Sequence, residues 1–462
     1  MSFEIPRGLM VSVSGVRGRV GESLTPEVVA RFAAAFGAYL GSESGARPRV
    51  VLGRDSRTSG PMFARAAAAG LMSVGADVVD VGVAPTPTTL YAIRSQAAAG
   101  AIVVTASHNA VEWNALKLAS AEGMFLDAEQ TQRMRAYLDD EALVRAGWDG
   151  LGGYRVEDGA IERHLEAVLA LPIVDVEALR RRGFRVALDC VRGAGGRILP
   201  TLLERLGCEV LGLDLEPDGR FPREPEPVAA NLGELSERVR ASGADLGMAT
   251  DPDADRLSLV DESGTAIGED YTLAICAALV LRHRPGPVVT NLSTSALLED
   301  VAAGAGMELL RAPVGEINVA RRMQAVGAPI GGEGNGGVIL PDVHYTRDAM
   351  VAAALTLQGL LEADAPLSEI VGGWPAYAIV KDKVARGERA LEMTYDELAA
   401  RLDAPVRDLQ DGLRLAWPER GRWLHLRPSG TEPILRIIAE ARGEDEAREL
   451  VAAARAALGA ED

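Results

Sequence analysis

The sequence predicts an α/β protein built from three related units and a smaller, different C-terminal segment. The first observation is a repeat: a short apolar strand, a polar or glycine-rich loop, a helical stretch and a second strand occur three times along the chain. Units of strand, helix and strand build α/β sheets. The paired strands are expected at residues 48–53 and 75–79, 184–189 and 207–211, and 287–290 and 306–310.

A second observation is that each unit returns to a Gly-Ala pair, a short apolar strand and a polar loop. In open α/β sheets, ligands bind just beyond the carboxyl ends of the strands, so three such loops are expected to line one cleft. The alternative is that a Gly-Ala pair before a strand is simply common in α/β sequences. The three loops are residues 105–109, 251–256 and 332–337.

The last ninety or so residues differ in pattern. After a Gly-Gly-Trp-Pro break at residues 372–375, the chain shows strands, helices and a final helix rich in Ala, Glu and Arg, which predicts a small α+β domain. The glycine-rich segment 146–153 is the expected first linker. We therefore expect four domains in the chain of 462 residues, at 1–150, 151–256, 257–372 and 373–462.

The composition argues against several classes of function. Forty-eight basic and sixty-six acidic residues give a net charge of −18, which argues against general binding to nucleic acid or an anionic membrane. Three scattered cysteines and an N-terminus without a signal pattern lead us to expect a cytoplasmic protein. The sequence also lacks an apolar stretch of membrane-spanning length, a Gly-Lys-Ser/Thr phosphate loop and a complete dinucleotide fingerprint.

The most informative motif is Asp-Pro-Asp-Ala-Asp-Arg at residues 251–256. In an extended segment alternate side chains point the same way, so Asp251, Asp253 and Asp255 are expected to converge on one hard cation, and Mg²⁺ suits such oxygen ligands. A solvated acidic turn is one alternative. An EF-hand calcium loop is another, since Glu262 holds its twelfth position, but that loop needs glycine in place of Arg256 and flanking helices in place of strand-like runs.

The first loop offers a nucleophile. Ser107 follows the apolar run 101–104 and precedes His108. Considered alone, Ser107 is better explained as a residue that caps the following turn than as a nucleophile. An isolated histidine is likewise more often a hydrogen-bonded structural group than a catalyst. These alternatives stay open at this point.

Further ligand-binding groups occur in the third loop and in the last segment. Glu333 and Asn335 offer a carboxylate and an amide that match sugar hydroxyls, in a glycine-rich loop whose alternative is a flexible hairpin tip. Arg427 precedes hydroxyl and amide donors that could form a phosphate cradle, for which a tight turn between strands is the alternative. Those donors are Ser429, Gly430 and Thr431.

In chain order, the three loops and the segment that begins at Arg427 resemble the four conserved loops of the α-D-phosphohexomutase family. Segments 14–18, 53–57 and 85–87 look like other parts of that family, so the resemblance spans the whole chain. It implies three related α/β domains with mixed sheets and a smaller C-terminal α+β domain, in a heart-shaped arrangement around a central cleft. The Gly-Glu-Gly-Asn-Gly-Gly loop resembles the archaeal-type branch, and departures such as Gly337 leave the sugar undetermined.

The resemblance also implies a role for each site residue. Ser107 would be the phosphoserine, and one Mg²⁺ per chain would be held by its phosphate together with Asp251, Asp253 and Asp255. The reacting end would also contain Arg17, His108, Lys117 and Arg256. Lys117 is the favoured proton-transfer group, and it is one of only three lysines in the chain. Glu333 and Asn335 would read sugar hydroxyls, and the distal phosphate would be gripped by Arg427, Ser429, Gly430 and Thr431.

The implied activity is interconversion of hexose 1-phosphate and hexose 6-phosphate through a hexose 1,6-bisphosphate, which also serves as activator. Glucosamine, mannose, glucose and N-acetylglucosamine phosphates are the candidate substrates. The expected partner is this small phosphosugar, with no nucleic acid and no membrane, for a monomer or homodimer. The alternative function is a non-catalytic sugar-phosphate-binding protein on the same scaffold.

Overall fold

The computed structural model describes residues 3–13, 15–139, 141–385, 391–429 and 434–459, with only the backbone of 391–394. The chain in these ranges forms four β-sheets with helices packed on them. No helix in these ranges is both long enough and apolar enough to cross a membrane.

The first sheet has seven strands and is the largest. Its elements and associated helices are β1 (Met10–Ser12), β2 (Gly15–Arg19), α1 (Pro26–Ser44), β3 (Arg49–Arg54), α2 (Gly60–Met72), β4 (Asp77–Val83), α3 (Thr86–Ser95), β5 (Gly100–Val104), β6 (Trp113–Ser120), α4 (Ala128–Arg135) and β7 (Tyr154–Val156). The strand order is β1-β2-β6-β5-β3-β4-β7. Strands β7, β4, β3 and β5 are parallel, and β6, β2 and β1 continue the sheet through antiparallel pairs.

The second and third sheets have four strands each. The second unit contains α5 (Ala160–Leu169), α6 (Val176–Arg182), β8 (Arg185–Asp189), α7 (Leu199–Arg205), β9 (Glu209–Leu213), α8 (Gly233–Ser242), β10 (Leu246–Thr250) and β11 (Leu257–Val260). The third contains α9 (Asp270–His283), β12 (Val288–Asn291), α10 (Leu297–Gly304), β13 (Leu309–Ala312), α11 (Glu316–Val326), β14 (Ile330–Glu333), β15 (Gly337–Ile339) and α12 (Ala349–Ala363).

One strand order occurs in all three units: β6-β5-β3-β4, β11-β10-β8-β9 and β15-β14-β12-β13. In each unit three strands are parallel and the fourth is antiparallel. The repeat of α/β units expected from the sequence is confirmed. Each of the three polar loops also lies at the same place, between the third parallel strand and the antiparallel strand.

The C-terminal part is a five-stranded antiparallel sheet with helices, as expected for an α+β domain. Its strand order is β16-β20-β19-β18-β17, and α13 connects it to the third unit. The elements are α13 (Leu367–Gly372), β16 (Ala378–Ala385), α14 (Leu391–Leu402), β17 (Val406–Asp408), β18 (Leu413–Trp417), β19 (Arg422–Pro428), β20 (Ile434–Ala441) and α15 (Glu444–Leu458).

Helix α12 joins the second and third units through one continuous core. Residues 349–360 of this helix are buried on every face, which is the burial expected for a helix that is apolar all round. It packs against α9 of its own unit and against α5, α6 and α7 of the second unit. The first unit and the C-terminal domain have apolar cores of their own.

Helices α1 and α2 cross closely on the sheet that carries the first loop. Helix α1 begins after Thr25, whose side chain accepts a hydrogen bond from the Val28 amide, and it ends at Gly45 with φ +62°. Gly70 in α2 permits the close approach, because a Cβ there would lie 2.2 Å from the carbonyl oxygen of Ala30.

Two short strands lie beyond the expected domain limits at residues 150 and 256. Strand β7 follows the glycine-rich segment 146–153 and still pairs with β4, and β11 follows residue 256 and still pairs with β10. The first and second sheets therefore take in residues beyond 150 and 256. The domain limits stay a prediction.

Candidate active site

Ser107 lies in the loop between β5 and β6 in an unusual backbone conformation. Its φ is +50°, a region that non-glycine residues rarely occupy. The buried Ser107 hydroxyl donates a 2.6 Å hydrogen bond to Asp251 Oδ2, and the Ser107 amide donates to Thr105 Oγ1 at 2.9 Å. Surrounding structure that maintains a strained residue is typical of functional sites. The hydroxyl is thus directed at the aspartate motif.

Arg57 fixes the backbone of the Ser107 loop. Its buried guanidinium donates to four carbonyl oxygens of that loop, and its Nε lies 3.1 Å from Asp55 Oδ2. Asp55 also accepts a 2.6 Å hydrogen bond from Thr105 Oγ1, and burial raises the pKa of Asp55 although Arg57 opposes the shift. Sequence reasoning assigned neither residue a role. The four carbonyls belong to Ser107, Asn109, Ala110 and Trp113.

The three aspartates of the motif lie together and are buried. One carboxylate oxygen of each lies within 4.8 Å of the others. The expectation of an extended segment is wrong, because residues 251–256 form a turn in which Ala254 has φ +52°. The side chains converge because the chain bends, and not because strand residues alternate. Flanking strands and complete burial also argue against an EF-hand and a solvated acidic turn.

Two oxygens in this cluster are buried and have no hydrogen-bond partner among the described residues: Asp253 Oδ1 and Asp255 Oδ1. The companion oxygens are engaged. Asp253 Oδ2 accepts from Lys117 Nζ at 2.7 Å and Thr86 Oγ1 at 2.6 Å, and Asp255 Oδ2 accepts from Arg347 Nη2 at 2.7 Å. Buried carboxylate oxygens without donors are costly, whereas hard oxygen ligands suit Mg²⁺. The cluster therefore has the ligands for a divalent cation.

Charge is distributed unevenly in the cluster. Burial, with Asp255 and Asp253 adding to it, holds the pKa of Asp251 well above its usual range. Burial would also raise the pKa of Asp253, but Lys117 outweighs that effect and lowers it. Burial alone would lower the pKa of Lys117, and the carboxylates of Asp253 and Asp255 reverse the shift and raise it. The Lys117 and Asp253 pair is thus charged, and a nearby cation would favour ionised Asp251.

Arg17 lies beside the Ser107 loop, and His108 belongs to that loop. Arg17 Nη1 donates to Asn109 Oδ1 at 2.5 Å, and His108 Nδ1 lies 3.4 Å from Ser107 Oγ. Burial is the main cause that lowers the pKa of Arg17. The charge of Arg256, followed by burial, moves the pKa of His108 well below its usual value. His108 is therefore a neutral imidazole near neutral pH.

Arg256 closes the turn that carries the aspartates. Its Nε lies 3.9 Å from Asp251 Oδ2 and 3.7 Å from Asp255 Oδ1, and its Nη1 donates to Glu226 Oε1 at 3.1 Å. Together with Arg17 and Lys117, it concentrates positive charge in a protein whose net charge is strongly negative. These cationic side chains could pair with an anionic ligand once a cation offsets the neighbouring carboxylates.

Glu333, at the end of β14, is buried and held by several donors. Its Oε1 accepts from Asn291 Nδ2 at 2.8 Å and from the Gly315 amide at 3.2 Å, and its Oε2 accepts from Arg347 Nη1 at 3.0 Å. Asn335 Nδ2 lies 3.4 Å from the same Oε2. Burial raises the pKa of Glu333, but Arg347 outweighs the effect and lowers it. The carboxylate is ionised and fixed.

The C-terminal domain contacts the third unit through Asp411, which pairs with Arg427 near the end of β19. Arg427 Nε lies 3.0 Å from Asp411 Oδ2, which also accepts a 3.1 Å hydrogen bond from the Val314 amide of the third unit. The Ser429 amide donates to the Ile434 carbonyl at 2.9 Å. The other two proposed phosphate contacts, Gly430 and Thr431, lie outside the described residues.

Sequence reasoning also missed Arg347, which contacts both the aspartate motif and Glu333. Burial would lower the pKa of Arg347, but the carboxylates of Asp255, Glu316 and Glu333 raise it well above its usual value. One sequence feature could have identified the segment: an Arg-Asp pair stands immediately before an apolar helix, where a capping aspartate is expected.

A second group of potential metal ligands in the described ranges is His164, His344 and Asp348. Here Asp348 Oδ2 lies 2.8 Å from Nε2 of both histidines, and His164 Nδ1 lies 2.8 Å from Thr88 Oγ1. Hydrogen bonds therefore account for each of the converging atoms. This differs from the aspartate motif, where two converging carboxylates each keep a buried oxygen that has no donor in the described part of the chain.

Comparison with protein families matches the chain along almost its whole length. The matching descriptions are "Phosphoglucomutase/phosphomannomutase, alpha/beta/alpha domain I" at residues 9–145, domain II of the same description at 162–264, domain III at 268–377 and the C-terminal domain at 379–457.

Individual proteins give the same result. A phosphoglucomutase/phosphomannomutase of Thermococcus kodakarensis is 41% identical over 446 residues, and a probable phosphoglucosamine mutase of Methanopyrus kandleri is 37% identical over 447 residues; each match covers 96% of both chains. Among solved structures, a phosphoglucomutase/phosphomannomutase family protein of Burkholderia thailandensis has a TM-score of 0.83 at 28% identity and covers 98% of both chains. A putative phosphomannomutase of Thermus thermophilus has a TM-score of 0.82 at 27% identity and covers 99% of this chain and 100% of that one.

Proposed function

Because the chain belongs to the phosphoglucomutase/phosphomannomutase family, it is a phosphohexomutase, and we propose that it interconverts hexose 1-phosphates and hexose 6-phosphates through a phosphoserine at Ser107. The observation that carries the proposal is the contact between Ser107 and the aspartate cluster. A strained, buried serine donates to Asp251 beside two carboxylate oxygens that have no donor among the described residues. A nucleophile, a cation site and basic side chains thus occur together.

The proposed reaction moves phosphate in two steps. First, the bond between phosphorus and Ser107 Oγ breaks as phosphorus bonds to the free hydroxyl oxygen of a hexose monophosphate. That hydroxyl loses its proton, and Ser107 Oγ gains one. The hexose 1,6-bisphosphate then reorients in the site, so that its other phosphate faces Ser107. In the second step the other phosphoryl group is transferred to Ser107 Oγ, which loses its proton, and the released sugar oxygen gains one. We assign these proton transfers to Lys117, whose ammonium lies within the aspartate cluster: in each step it would donate a proton to the departing oxygen, and the resulting amine would accept the proton of the attacking hydroxyl.

The remaining residues of the reacting end would position groups and balance charge, which supply most of the catalysis in phosphoryl transfer. Asp251, Asp253 and Asp255 would hold one Mg²⁺ per chain together with the phosphate on Ser107. When bound, the cation would neutralise charge on the transferred group. Arg17 and Arg256 would add positive charge, and neutral His108 would offer a hydrogen bond beside Ser107 Oγ.

The substrate would be held at two further places. Glu333 and Asn335 would contact sugar hydroxyls, and Arg427 and Ser429 would bind the phosphate that is not reacting, with Gly430 and Thr431 completing that cradle. Arg427 is already paired with Asp411 of the same domain, and Asp411 in turn accepts from the Val314 amide of the third unit. We therefore propose that the C-terminal domain adjusts as a phosphate replaces this contact.

The substrate class we propose is a hexose phosphate with glucosamine, mannose or glucose as the sugar. The two curated relatives are named for glucose and mannose phosphates and for glucosamine phosphate respectively. Hexose 1,6-bisphosphate would serve as activator and intermediate. We further propose a cytoplasmic monomer or homodimer that acts on small phosphosugars and binds neither nucleic acid nor membrane, in line with its acidic composition.

A non-catalytic sugar-phosphate-binding protein is not favoured. Such a protein needs the phosphate and sugar contacts, but it does not need a strained serine, a buried lysine and a cation cluster at the reacting end. All three features are present in this chain.

The test combines intact mass and turnover. Purified protein treated with glucose 1,6-bisphosphate should gain one phosphoryl group, and Ser107→Ala should neither gain it nor turn over any substrate. Ser56→Ala is a suitable control, because Ser56 Oγ donates to the Arg192 carbonyl and not to the aspartate cluster. Near-normal turnover of Ser107→Ala would refute the proposal. A coupled assay of glucose, mannose, glucosamine and N-acetylglucosamine 1-phosphates then identifies the sugar.

A further inference from the structure

Arg347 connects the aspartate cluster to the proposed sugar-binding carboxylate. It is buried in the segment between β15 and α12, and its guanidinium donates to carboxylates from three separate parts of the chain. Nη2 donates to Asp255 Oδ2 at 2.7 Å, Nη1 donates to Glu333 Oε2 at 3.0 Å, and Nε donates to Glu316 Oε2 at 3.0 Å. Every nitrogen of the guanidinium therefore has a carboxylate partner.

We infer that Arg347 is a positioning residue that sets the orientation of Asp255 and Glu333 relative to each other, and so couples cation binding to sugar recognition. The inference rests on the proposed function. By holding Oδ2 of Asp255, Arg347 leaves Oδ1, the oxygen without a donor in the described ranges, for the cation. By holding Oε2 of Glu333, it fixes the plane of the carboxylate that would meet the sugar.

The guanidinium itself is braced from its other edge. Glu316 stands at the first position of α11, where the helix dipole favours a negative charge. Its Oε2 accepts from Arg347 Nε, and its Oε1 accepts from the Arg347 amide at 3.0 Å and from the Thr346 hydroxyl. Both the side chain and the backbone of Arg347 thus bind the Glu316 carboxylate, which fixes the orientation of the guanidinium.

The next residue anchors the segment to the other units. Asp348 Oδ1 accepts from the Met350 amide at 2.8 Å and caps α12, while its Oδ2 meets His164 of the second unit. His164 in turn contacts Thr88 in α3 of the first unit. Arg347 therefore sits on a segment held by all three α/β units, so its position is defined independently of the loops that it contacts.

The shape of arginine matters here as well as its charge. A planar guanidinium can donate in three fixed directions at once, whereas a lysine ammonium on a flexible stem is a point charge that cannot span three carboxylates. Removing a group that orients a metal ligand typically costs about 10–100-fold in metal affinity or activity. Arg347→Lys keeps the positive charge and removes the planar guanidinium, so it separates the positioning of the carboxylates from the neutralisation of their charge.

The experiment compares Arg347→Lys, Arg347→Met and the full-length wild-type protein. Mn²⁺ binding is measured by electron paramagnetic resonance without substrate, and kcat and KM are measured separately. Arg347→Lys should bind Mn²⁺ about tenfold more weakly and lose about 10–100-fold in kcat/KM. The control is Arg284→Lys, because Arg284 pairs with Asp342 at the surface and contacts no carboxylate of the site.

A double-mutant cycle tests the coupling. If Arg347 acts through Glu333, then Arg347→Lys in a Glu333→Gln background should cost far less in kcat/KM than it does in the wild type. Additive losses would overturn the coupling. The positioning role would be overturned if Arg347→Lys bound Mn²⁺ and turned over substrate within about twofold of wild type. It would also be overturned if Arg347→Met bound Mn²⁺ more tightly while Arg347→Lys was unaffected.

Two safeguards keep the outcomes distinct. Circular dichroism and thermal unfolding identify a variant that fails to fold; Arg347→Lys retains the buried charge, so it remains informative if Arg347→Met does not fold. If the wild-type protein shows no mutase turnover, the proposed function fails. The Mn²⁺ comparison among wild type, Arg347→Lys and Arg284→Lys still decides whether Arg347 orients Asp255.

Discussion

Ser107 and Asp251 are 144 positions apart in the sequence, and the Ser107 hydroxyl donates a 2.6 Å hydrogen bond to Asp251 Oδ2. The contact joins the loop of the first sheet to the turn of the second. Thr86 adds two more contacts across the same junction, since its amide donates to the Asp253 carbonyl at 2.9 Å and its hydroxyl to Asp253 Oδ2 at 2.6 Å. The proposed reacting end therefore lies where two units dock, and neither unit contains it alone.

The first prediction concerns the support of Ser107. Arg57→Lys should lower kcat/KM by about 100-fold, because an ammonium cannot hold the carbonyls that fix the loop and small displacements of a reacting group are costly. It should also destabilise the fold by about 2–4 kcal/mol, since buried carbonyls lose their donors. Steady-state kinetics and urea unfolding measure the two effects. Arg47→Lys, at an exposed pair with Asp77, should change neither; an Arg57→Lys protein as active as this control would contradict the prediction.

The second prediction concerns the cation. Mg²⁺ at 100 times its dissociation constant should stabilise the protein by about 2.7 kcal/mol, because it binds the folded cluster and not the unfolded chain. Thermal unfolding with and without Mg²⁺ shows the shift, and chelation should abolish turnover until Mg²⁺ is restored.

Asp253→Asn and Asp255→Asn should each lose most of this stabilisation, because each replaces a carboxylate whose Oδ1 has no donor in the described part of the chain. Asp342→Asn, which changes a surface partner of Arg284, is the control and should keep it. An undiminished Mg²⁺ shift in both cluster variants would place the cation elsewhere.

The repeated fold could be predicted from sequence because its determinants are local. Gly-Ala pairs, short apolar strands and intervening helices recur with similar spacing, and all three sheets adopt one strand order. The four loops could also be identified, since each combines chemically distinctive residues in a short segment. The loops of the three α/β units all lie between the third parallel strand and the antiparallel strand. This shared place follows from the same repeat.

The supporting arginines could not be predicted, since their partners are distant in sequence. Arg57 contacts a loop about fifty positions away, and Arg347 reaches Asp255 across 92 positions. In a chain with many arginines, nothing local marks Arg57, and Arg347 is marked only by its place before the expected capping aspartate of an apolar helix. The geometry of the aspartate turn was also beyond sequence reasoning: Ala254 adopts φ +52°, a conformation that alanine has no intrinsic tendency to adopt.

The third prediction is a pH dependence at the junction of the C-terminal domain. His425 is buried, and its Nδ1 lies 2.9 Å from Ser293 Oγ while its Nε2 donates to the Asp411 carbonyl at 2.7 Å. Burial lowers the pKa of His425 to about 4, with Arg427 and Arg414 adding to the effect and Asp411 opposing it.

The protein should lose stability at acid pH because the unfolded chain takes up a proton that folded His425 does not. Between about pH 6.5 and pH 4 the unfolded chain binds a proton at His425 and the folded protein does not, so the free energy of unfolding falls as pH is lowered. The loss attributable to this group is about 3 kcal/mol across that window. It should be absent in His425→Gln and retained in His283→Gln, which changes an exposed histidine. Urea unfolding followed by tryptophan fluorescence between pH 7 and 4 gives the slopes; equal slopes in wild type and His425→Gln would contradict the prediction.

The fourth prediction concerns the helix contact behind the sheet that carries Ser107. In Gly70→Ala the new methyl group would lie 2.2 Å from the Ala30 carbonyl oxygen, so α1 and α2 must separate. Overpacking of this kind typically costs about 1–3 kcal/mol. Gly304→Ala is the matched control, because Gly304 ends α10 and no heavy atom lies within 4 Å of its added Cβ; it should be neutral or stabilise by up to about 1 kcal/mol. Thermal and urea unfolding compare the two, and a Gly70→Ala protein as stable as Gly304→Ala would show that the helices are not held at this distance.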